Sequence, residues 1–272
     1  MPRPAVDGTV KEVYPTAVTM AKQPGRGRWS RPLVEAGLVI TLYLVYRAGR
    51  LIVTGQEAKA FANAEVVRAA EALLSLPSEV DVQAMFHGLP QVFEVANVYY
   101  VYAHFPITIA FLIWGFLYRP AAEYRWARNL LATQTMLALA LHMLLPLAPP
   151  RMFPELGFVD TMARWGPSAY DGPSAAVANQ YAAMPSLHVG WAVLIAVVVY
   201  RTGPRPVAAL AIGHAAMTCF VVTVTANHWW LDGVVATLLL GVALLVHQPP
   251  GERSWSEDAF PDGRQLGAAE AA

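Results

Sequence analysis

The sequence predicts an all-α fold: a six-transmembrane helical bundle with an outer-face re-entrant loop and an amphipathic helix. Three observations predict it. First, the 272 residues are 56% hydrophobic and only 14% charged, whereas a soluble globular chain carries roughly 25% charged residues. Mean hydropathy is +0.39. Second, six stretches reach or approach the length of about 20 apolar residues that crosses a bilayer as a helix. They are 33–53, 92–118, 129–148, 187–201, 206–226 and 229–247. Third, lysine and arginine concentrate in alternate connections between those stretches.

Residues 1–32 have the proline, glycine and charge content of a disordered tail. The first span is 33–53. Residues 55–90 contain "EAKAFANAEVVRAAEALL", whose helical period and mixed polarity suit an amphipathic helix on the membrane surface or beside the bundle. The second and third spans are 92–118 and 129–148. Residues 149–186 are rich in Pro, Gly, Ala and Ser and read as a long ordered loop, a length usually tied to function. The fourth span, 187–201, is short; the fifth and sixth complete a domain over 33–248. A second disordered tail covers 249–272.

Orientation follows from the basic residues. Arg3, Lys11, Lys22, Arg26, Arg28 and Arg31 precede the first span. Arg119, Arg125 and Arg128 join spans two and three, and Arg201 and Arg205 join four and five. With six spans these lie on one side, so both termini are expected in the cytoplasm of a multi-pass cell-membrane protein. Segments 55–90 and 149–186 and the turn at His228 then lie outside. Zero net charge gives no argument for nucleic acid. The single cysteine, Cys219, excludes an intramolecular disulfide and thiolate-held zinc. Nothing in the sequence fixes an oligomeric state.

Three pieces share the outer side: "PLAPPRMF" (146–153), "MPSLH" (184–188) and "TANHWWLD" (225–232). His228 and Asp232 are one helical turn apart. The carboxylate either fixes the imidazole tautomer, leaving Nε2 as nucleophile or base, or caps a backbone amide. Pro185 suits the first turn of a helix, and the amides near Ser186 form a helix N-terminus fit for an anion. His188, one turn in, is either a proton donor to that anion or an interfacial histidine reaching water. Arg151 is either a snorkelling anchor or the fixed positive charge of a phosphate site. Together these parts suit phosphoryl transfer without metal or cofactor: Arg151 and Ser186 bind phosphate, His228 attacks, Asp232 orients it, and His188 is the acid. No acidic cluster or HExxH motif suggests a metal.

"PSLH", followed forty residues later by His-x-x-x-Asp, resembles the type 2 phosphatidic acid phosphatase (lipid phosphate phosphatase) superfamily. Its three motifs are KxxxxxxRP, PSGH and SRxxxxxHxxxD. The resemblance implies a six-span fold, a phosphohistidine on His228 and protonation of the leaving group by His188. Leu187 replaces the glycine of the second motif, Val222 the arginine of the third, and Leu144 the lysine of the first; Arg151 alone remains of three phosphate cations. Arg128 lies 23 residues before Arg151, about 35 Å of helix away, and does not substitute. "PPR", "MPSLHVGW", "GFVDT" and "NVYYVYAH" are similar to the inositol phosphorylceramide synthase-like branch.

Asn97, Tyr100 and His104 recur at helical spacing and, with Asn227, are candidates to line the pocket; the other roles for the first three are bonding the catalytic loop and polar glue between helices. Arg50 reads as a snorkelling residue near the end of span one. His142 and His214 read as satisfied structural histidines, and Trp229 and Trp230 as an interfacial belt. The expected function is therefore a metal-independent membrane lipid phosphatase or phosphotransferase. Its partners are membrane lipids, a lipid phosphate or phosphodiester and, for transfer, a polar hydroxyl acceptor. The alternatives are an isoprenoid diphosphate phosphatase and a non-catalytic transporter or lipid-binding relative.

Overall fold

The computed structural model describes residues 30–53, 55–170 and 179–250. It is all-helical, without strands, among these residues. Apart from their innermost residues, both expected tails lie outside the described residues, as does the Arg50 side chain. The helix of the first apolar stretch begins at Ser30, inside the expected tail: α1 is Ser30–Val53. The chain divides into two units after Gly37, and every later helix belongs to the unit from Leu38 onward.

The expected amphipathic segment forms two helices, α2 (Glu57–Leu73) and α3 (Glu79–Ala84). Ser78 caps α3 by accepting the Asp81 amide at 3.4 Å. The buried stripe of α2 is Ala60, Ala64, Val67 and Glu71. It packs on Leu147, Ala148, Phe153 and Trp229, so α2 lies beside the bundle. Asn63 fixes it by donating to the Pro146 carbonyl at 2.8 Å.

The second apolar stretch is broken. Helices α4 (Pro90–Tyr102) and α5 (His104–Tyr118) meet at Ala103 with a 41° bend. Pro106 has no amide, and its ring crowds the carbonyl four residues earlier, which belongs to Tyr102, the last residue of α4. Helix α6 (Ala121–Leu144) starts earlier than the apolar pattern and ends before Pro146. Between α6 and the next long helix lies the short α7 (Thr161–Trp165), capped by the Asp160 carboxylate, which accepts the Met162 and Ala163 amides at 3.1 Å.

Helices α8 (Leu187–Thr202), α9 (Arg205–Val224) and α10 (Trp230–Val246) complete the bundle. Helix α8 is apolar all round and buries Leu194, Ile195, Val198 and Val199 among α6, α9 and α10, as a central helix should. Gly190 lets α8 approach α6 and α10: a Cβ there would stand 2.7 Å from Gln134 Nε2 and 3.2 Å from Ala236 Cβ.

Among the described residues, α9 alone is long and apolar enough to cross a membrane, and α4 with α5 passes the same test as one bent span. Helices α8 and α10 have only 16 and 17 residues, and the first turns of α6 carry Glu123, Arg125 and Arg128. Many outward side chains of the long helices are large and apolar; Leu210 is 75% and Leu245 78% exposed. Faces of that kind need a non-aqueous partner.

Candidate active site

The site begins where α9 stops. The Asn227 amide donates to Val222 O at 3.0 Å, and the Ala226 amide to Thr223 O at 2.9 Å. Together they form the Schellman closure that normally has glycine at its left-handed position. Here that residue is Ala226, at φ 53°, a conformation that costs a non-glycine residue about 1 kcal/mol. The Ala226 carbonyl accepts the Arg151 amide at 2.8 Å. The left-handed turn thus joins the 146–153 segment to the Asn227–His228 segment. Val222, where the resemblance leads one to look for an arginine, is buried, and its carbonyl closes this turn.

His228 precedes α10, and Asp232 lies in its first turn. His228 Nδ1 is 2.9 Å from Ala183 O and 3.1 Å from Asp232 Oδ2. Both are acceptors, so Nδ1 carries the proton and the Nε2 lone pair is left for chemistry. Asp232 Oδ2 also accepts the Trp229 amide at 2.9 Å. One Asp232 oxygen therefore meets both the His228 ring and the backbone amide it caps. Burial pushes His228 down to about 4, the Ala183 hydrogen bond opposes this, and the Arg151 charge lowers it further. The imidazole is neutral at physiological pH, as a nucleophile requires.

Arg151 is buried at 7% exposure. Its Nε donates to Asn227 Oδ1 at 3.1 Å, and its Nη1 to Asp160 Oδ2 at 3.4 Å. The Tyr170 ring covers the guanidinium at 4.0 Å, and the Tyr170 hydroxyl donates to Asn227 Oδ1 at 3.3 Å. Arg151 Nη2 is buried without a hydrogen-bond partner. A buried donor left unmatched is costly, and an anion would satisfy it.

Ser186 caps α8, its hydroxyl accepting the Val189 amide at 3.3 Å. Its own amide donates to the Asp232 backbone carbonyl at 3.0 Å, tying α8 to α10. At the helix start the Leu187 and His188 amides have no intrahelical partner. The His188 ring centroid is 6.1 Å from that of His228. Tyr100 stacks on His188 at 4.1 Å and His104 lies at 4.5 Å. His188 Nε2 and His104 Nδ1 are buried without partners. Asn97 sits deeper, donating to Thr161 O and accepting from Thr161 Oγ1, both at 2.9 Å; it anchors the loop that carries Asp160.

Two histidines outside this group hold structure. His142 Nε2 bonds Pro185 O at 3.0 Å, and His214 Nδ1 meets the Tyr99 hydroxyl at 2.5 Å. Trp229 differs from the expected interfacial belt. It is buried, because its indole donates to Ala148 O at 2.9 Å and its ring packs edge-on against Phe153 and Phe158.

Sequence reasoning missed Tyr170, Asp160, Gln83, Glu71 and Glu79. Gln83 ties the loop to α9, donating to Val159 O at 3.0 Å and Val224 O at 3.1 Å. Glu71 and Glu79 are both buried and accept the Leu231 amide at 2.8 Å and the Trp230 amide at 3.0 Å. Burial, with Glu79 beside it, pushes Glu71 up to about 8, against the lowering effect of the Leu231 amide. Glu71 was legible, since it continues the buried stripe of α2. Gln83 and Glu79 act through partners distant in sequence, whereas Asp160 and Tyr170 meet Arg151 from the same loop. Among the described residues no three His, Cys, Asp or Glu side chains are grouped to hold a metal.

A family model for the PAP2 superfamily matches residues 65–246. The chain belongs to the PAP2 superfamily. PAP2 superfamily members are phosphatases and phosphotransferases, so membership points to an enzyme acting on phosphate esters. With the apolar helices it also points to a membrane protein. The match spans every site residue named above, from Glu71 to Asp232. No curated protein and no solved structure matched the chain.

Proposed function

We propose that this PAP2 protein is an integral membrane lipid phosphatase or phosphotransferase working through a phosphohistidine. The observation that carries the reading is the His228 ring, held through Nδ1 by Asp232 and Ala183, beside Arg151 with one free guanidinium nitrogen. His228 Nε2 attacks phosphorus, the bond to the leaving oxygen breaks, and His188 donates a proton to that oxygen. Arg151 stabilises the charge that gathers on the phosphoryl oxygens. A second hydroxyl then attacks the phosphohistidine, His188 takes its proton, and His228 is released. Water as that hydroxyl gives hydrolysis; a polar alcohol gives transfer.

The charge count favours a phosphodiester lipid. One cation, Arg151, is already shared with Asp160 at 3.4 Å, which suits a singly charged diester better than a doubly charged monoester or a diphosphate. This agrees with an inositol phosphorylceramide synthase-like role. In this reading the chain crosses the membrane six times with both termini cytoplasmic, and the site faces outward.

The test is metal-free incubation of the purified protein with phosphatidic acid, phosphatidylinositol and an isoprenoid diphosphate, with and without inositol. Turnover in the presence of chelator and an acid-labile phosphoenzyme lost in His228→Ala are expected. Turnover that survives His228→Ala removes the nucleophile, and a divalent-metal requirement removes the mechanism. Labelling from the inner face of a cysteine placed at Arg164 overturns the topology.

A further inference from the structure

Three consecutive amides open α10, and each is taken by an acidic side chain from a different part of the chain. Asp232 accepts from Trp229 at 2.9 Å, Glu79 from Trp230 at 3.0 Å and Glu71 from Leu231 at 2.8 Å. Glu71 and Glu79 are each only 5% exposed. Glu71 stands two residues from the C-terminal end of α2, where the helix dipole disfavours a negative charge. Burying acids this way costs stability, and neither acid touches the reacting groups. Each accepts from a backbone amide, and the two side chains interact with each other.

The geometry shows what they do. An aspartate at the third position of a helix reaches back to the N-cap amide, so its aim follows the placement of the first turn. Here Glu79 and Glu71 hold that turn at the Trp230 and Leu231 amides, and Asp232 Oδ2 rests on the Trp229 amide and on His228 Nδ1, at 3.1 Å. The Trp230 indole, donating to Pro77 O at 2.6 Å, pins the same turn from the side.

We propose that Glu71 and Glu79 are positioning residues for the reaction: by holding the first turn of α10 they keep Asp232 on His228. This rests on the reading of His228 as nucleophile. It assigns α2 and α3, which lie outside the apolar bundle, a part in catalysis.

The experiment uses the full chain in lipid nanodiscs with two readouts. One is turnover on phosphatidic acid, phosphatidylinositol and an isoprenoid diphosphate; the other is the nitrogen-15 signal of His228, assigned by its loss in His228→Ala. Glu71→Ala and Glu79→Ala are each expected to lower kcat by about 10–100-fold, the scale of a small misplacement of a reacting group, with KM little changed. On an Asp232→Asn background the same substitutions are expected to cost less than about twofold, because residues acting as one unit are not additive. The His228 signal should lose its pure Nδ1-protonated form. The pair Glu71→Gln with Glu79→Gln keeps both acceptor oxygens and should preserve kcat and the signal. An unchanged His228 signal in a folded alanine variant, or full additivity with Asp232→Asn, overturns the proposal. If the alanine variants do not fold, a folded glutamine pair that has lost the signal overturns it instead. Absent turnover with a His228 signal that depends on Glu71 and Glu79 would mean that the functional reading has failed and the positioning role stands.

Discussion

Gly190→Ala tests how closely the bundle sets the site. The added Cβ would stand 2.7 Å from Gln134 Nε2 and 3.2 Å from Ala236 Cβ. Gln134 is buried and donates to the Ala236 carbonyl at 2.9 Å, so its amide moves away only by breaking that bond. Losing a buried hydrogen bond costs about 1–3 kcal/mol and overpacking adds about 1 kcal/mol or more. Alanine gains about 1 kcal/mol over glycine in a helix. The net is a loss of about 2 kcal/mol, or roughly 4–8 °C in Tm for a chain of this size. Gly213→Ala and Gly241→Ala are the controls: both glycines lie in helices with nothing within 4 Å of the added carbon, so propensity alone acts and they should hold or raise Tm. Activity should fall as well in Gly190→Ala. Widening the α8–α10 gap pulls on the Ser186–Asp232 bond at 3.0 Å, and Val189 already stands 3.3 Å from where a Gly233 Cβ would be. Thermal melts in detergent read the stability, and turnover at a temperature below all the melts reads the site. A Gly190→Ala protein as stable as Gly213→Ala would refute the close contact and the argument built on it.

Other outcomes depend on the site itself. Asp232→Asn removes the carboxylate that fixes the His228 tautomer and should lower kcat by about 10³–10⁴-fold, as loss of an orienting aspartate does elsewhere; steady-state turnover measures it. Arg151→Lys keeps the charge but loses the fork to Asn227 and Asp160 and the face against Tyr170, so kcat/KM should drop about 100-fold, and a value near wild type would show that a point charge suffices. Stability should depend on pH in two opposite ways. His228 is lowered from 6.5 to about 4, so its contribution is complete above 6.5 and is lost as pH falls through 4. Glu71 is raised from 4.5 to about 8, so its contribution is complete below 4.5 and is lost as pH rises through 8. Melts across that range should show Glu71→Gln flattening the alkaline decline, and a decline unchanged in that variant assigns it to another group.

How much of the fold and site was legible differs residue by residue, for physical reasons. The apolar runs gave most helix positions within a few residues, because hydrophobic length and period are local properties. The break at Ala103 is local too, since Pro106 reaches back one turn to Tyr102. The start of α6 is another matter: the apolar pattern begins at 129, but the helix begins at Ala121, because its first turns are helical while carrying Glu123, Arg125 and Arg128. His228, Asp232, His188, Ser186 and Arg151 stood out because their chemistry is unusual at the end of an apolar run. The residues that hold them in place did not. Tyr170 and Asp160 are ordinary loop residues until the fold sets them on Arg151. Glu79 looks like a first-turn acid of a short helix, and only the fold brings it to the Trp230 amide, 151 residues away. Ala226 hides a left-handed turn that glycine would have announced. The same division explains the departures in the family motifs. Val222 stands where the motif has arginine, and its carbonyl closes the turn that precedes His228. Leu144 stands where the motif has lysine, and its carbonyl accepts Lys59 Nζ at 3.3 Å. At both positions the backbone carbonyl has a partner that does not depend on the side chain. In the proposed reading the phosphate then falls to Arg151, and the aim of His228 to Asp232 and to the acidic side chains that α2 and α3 bring to the first turn of α10.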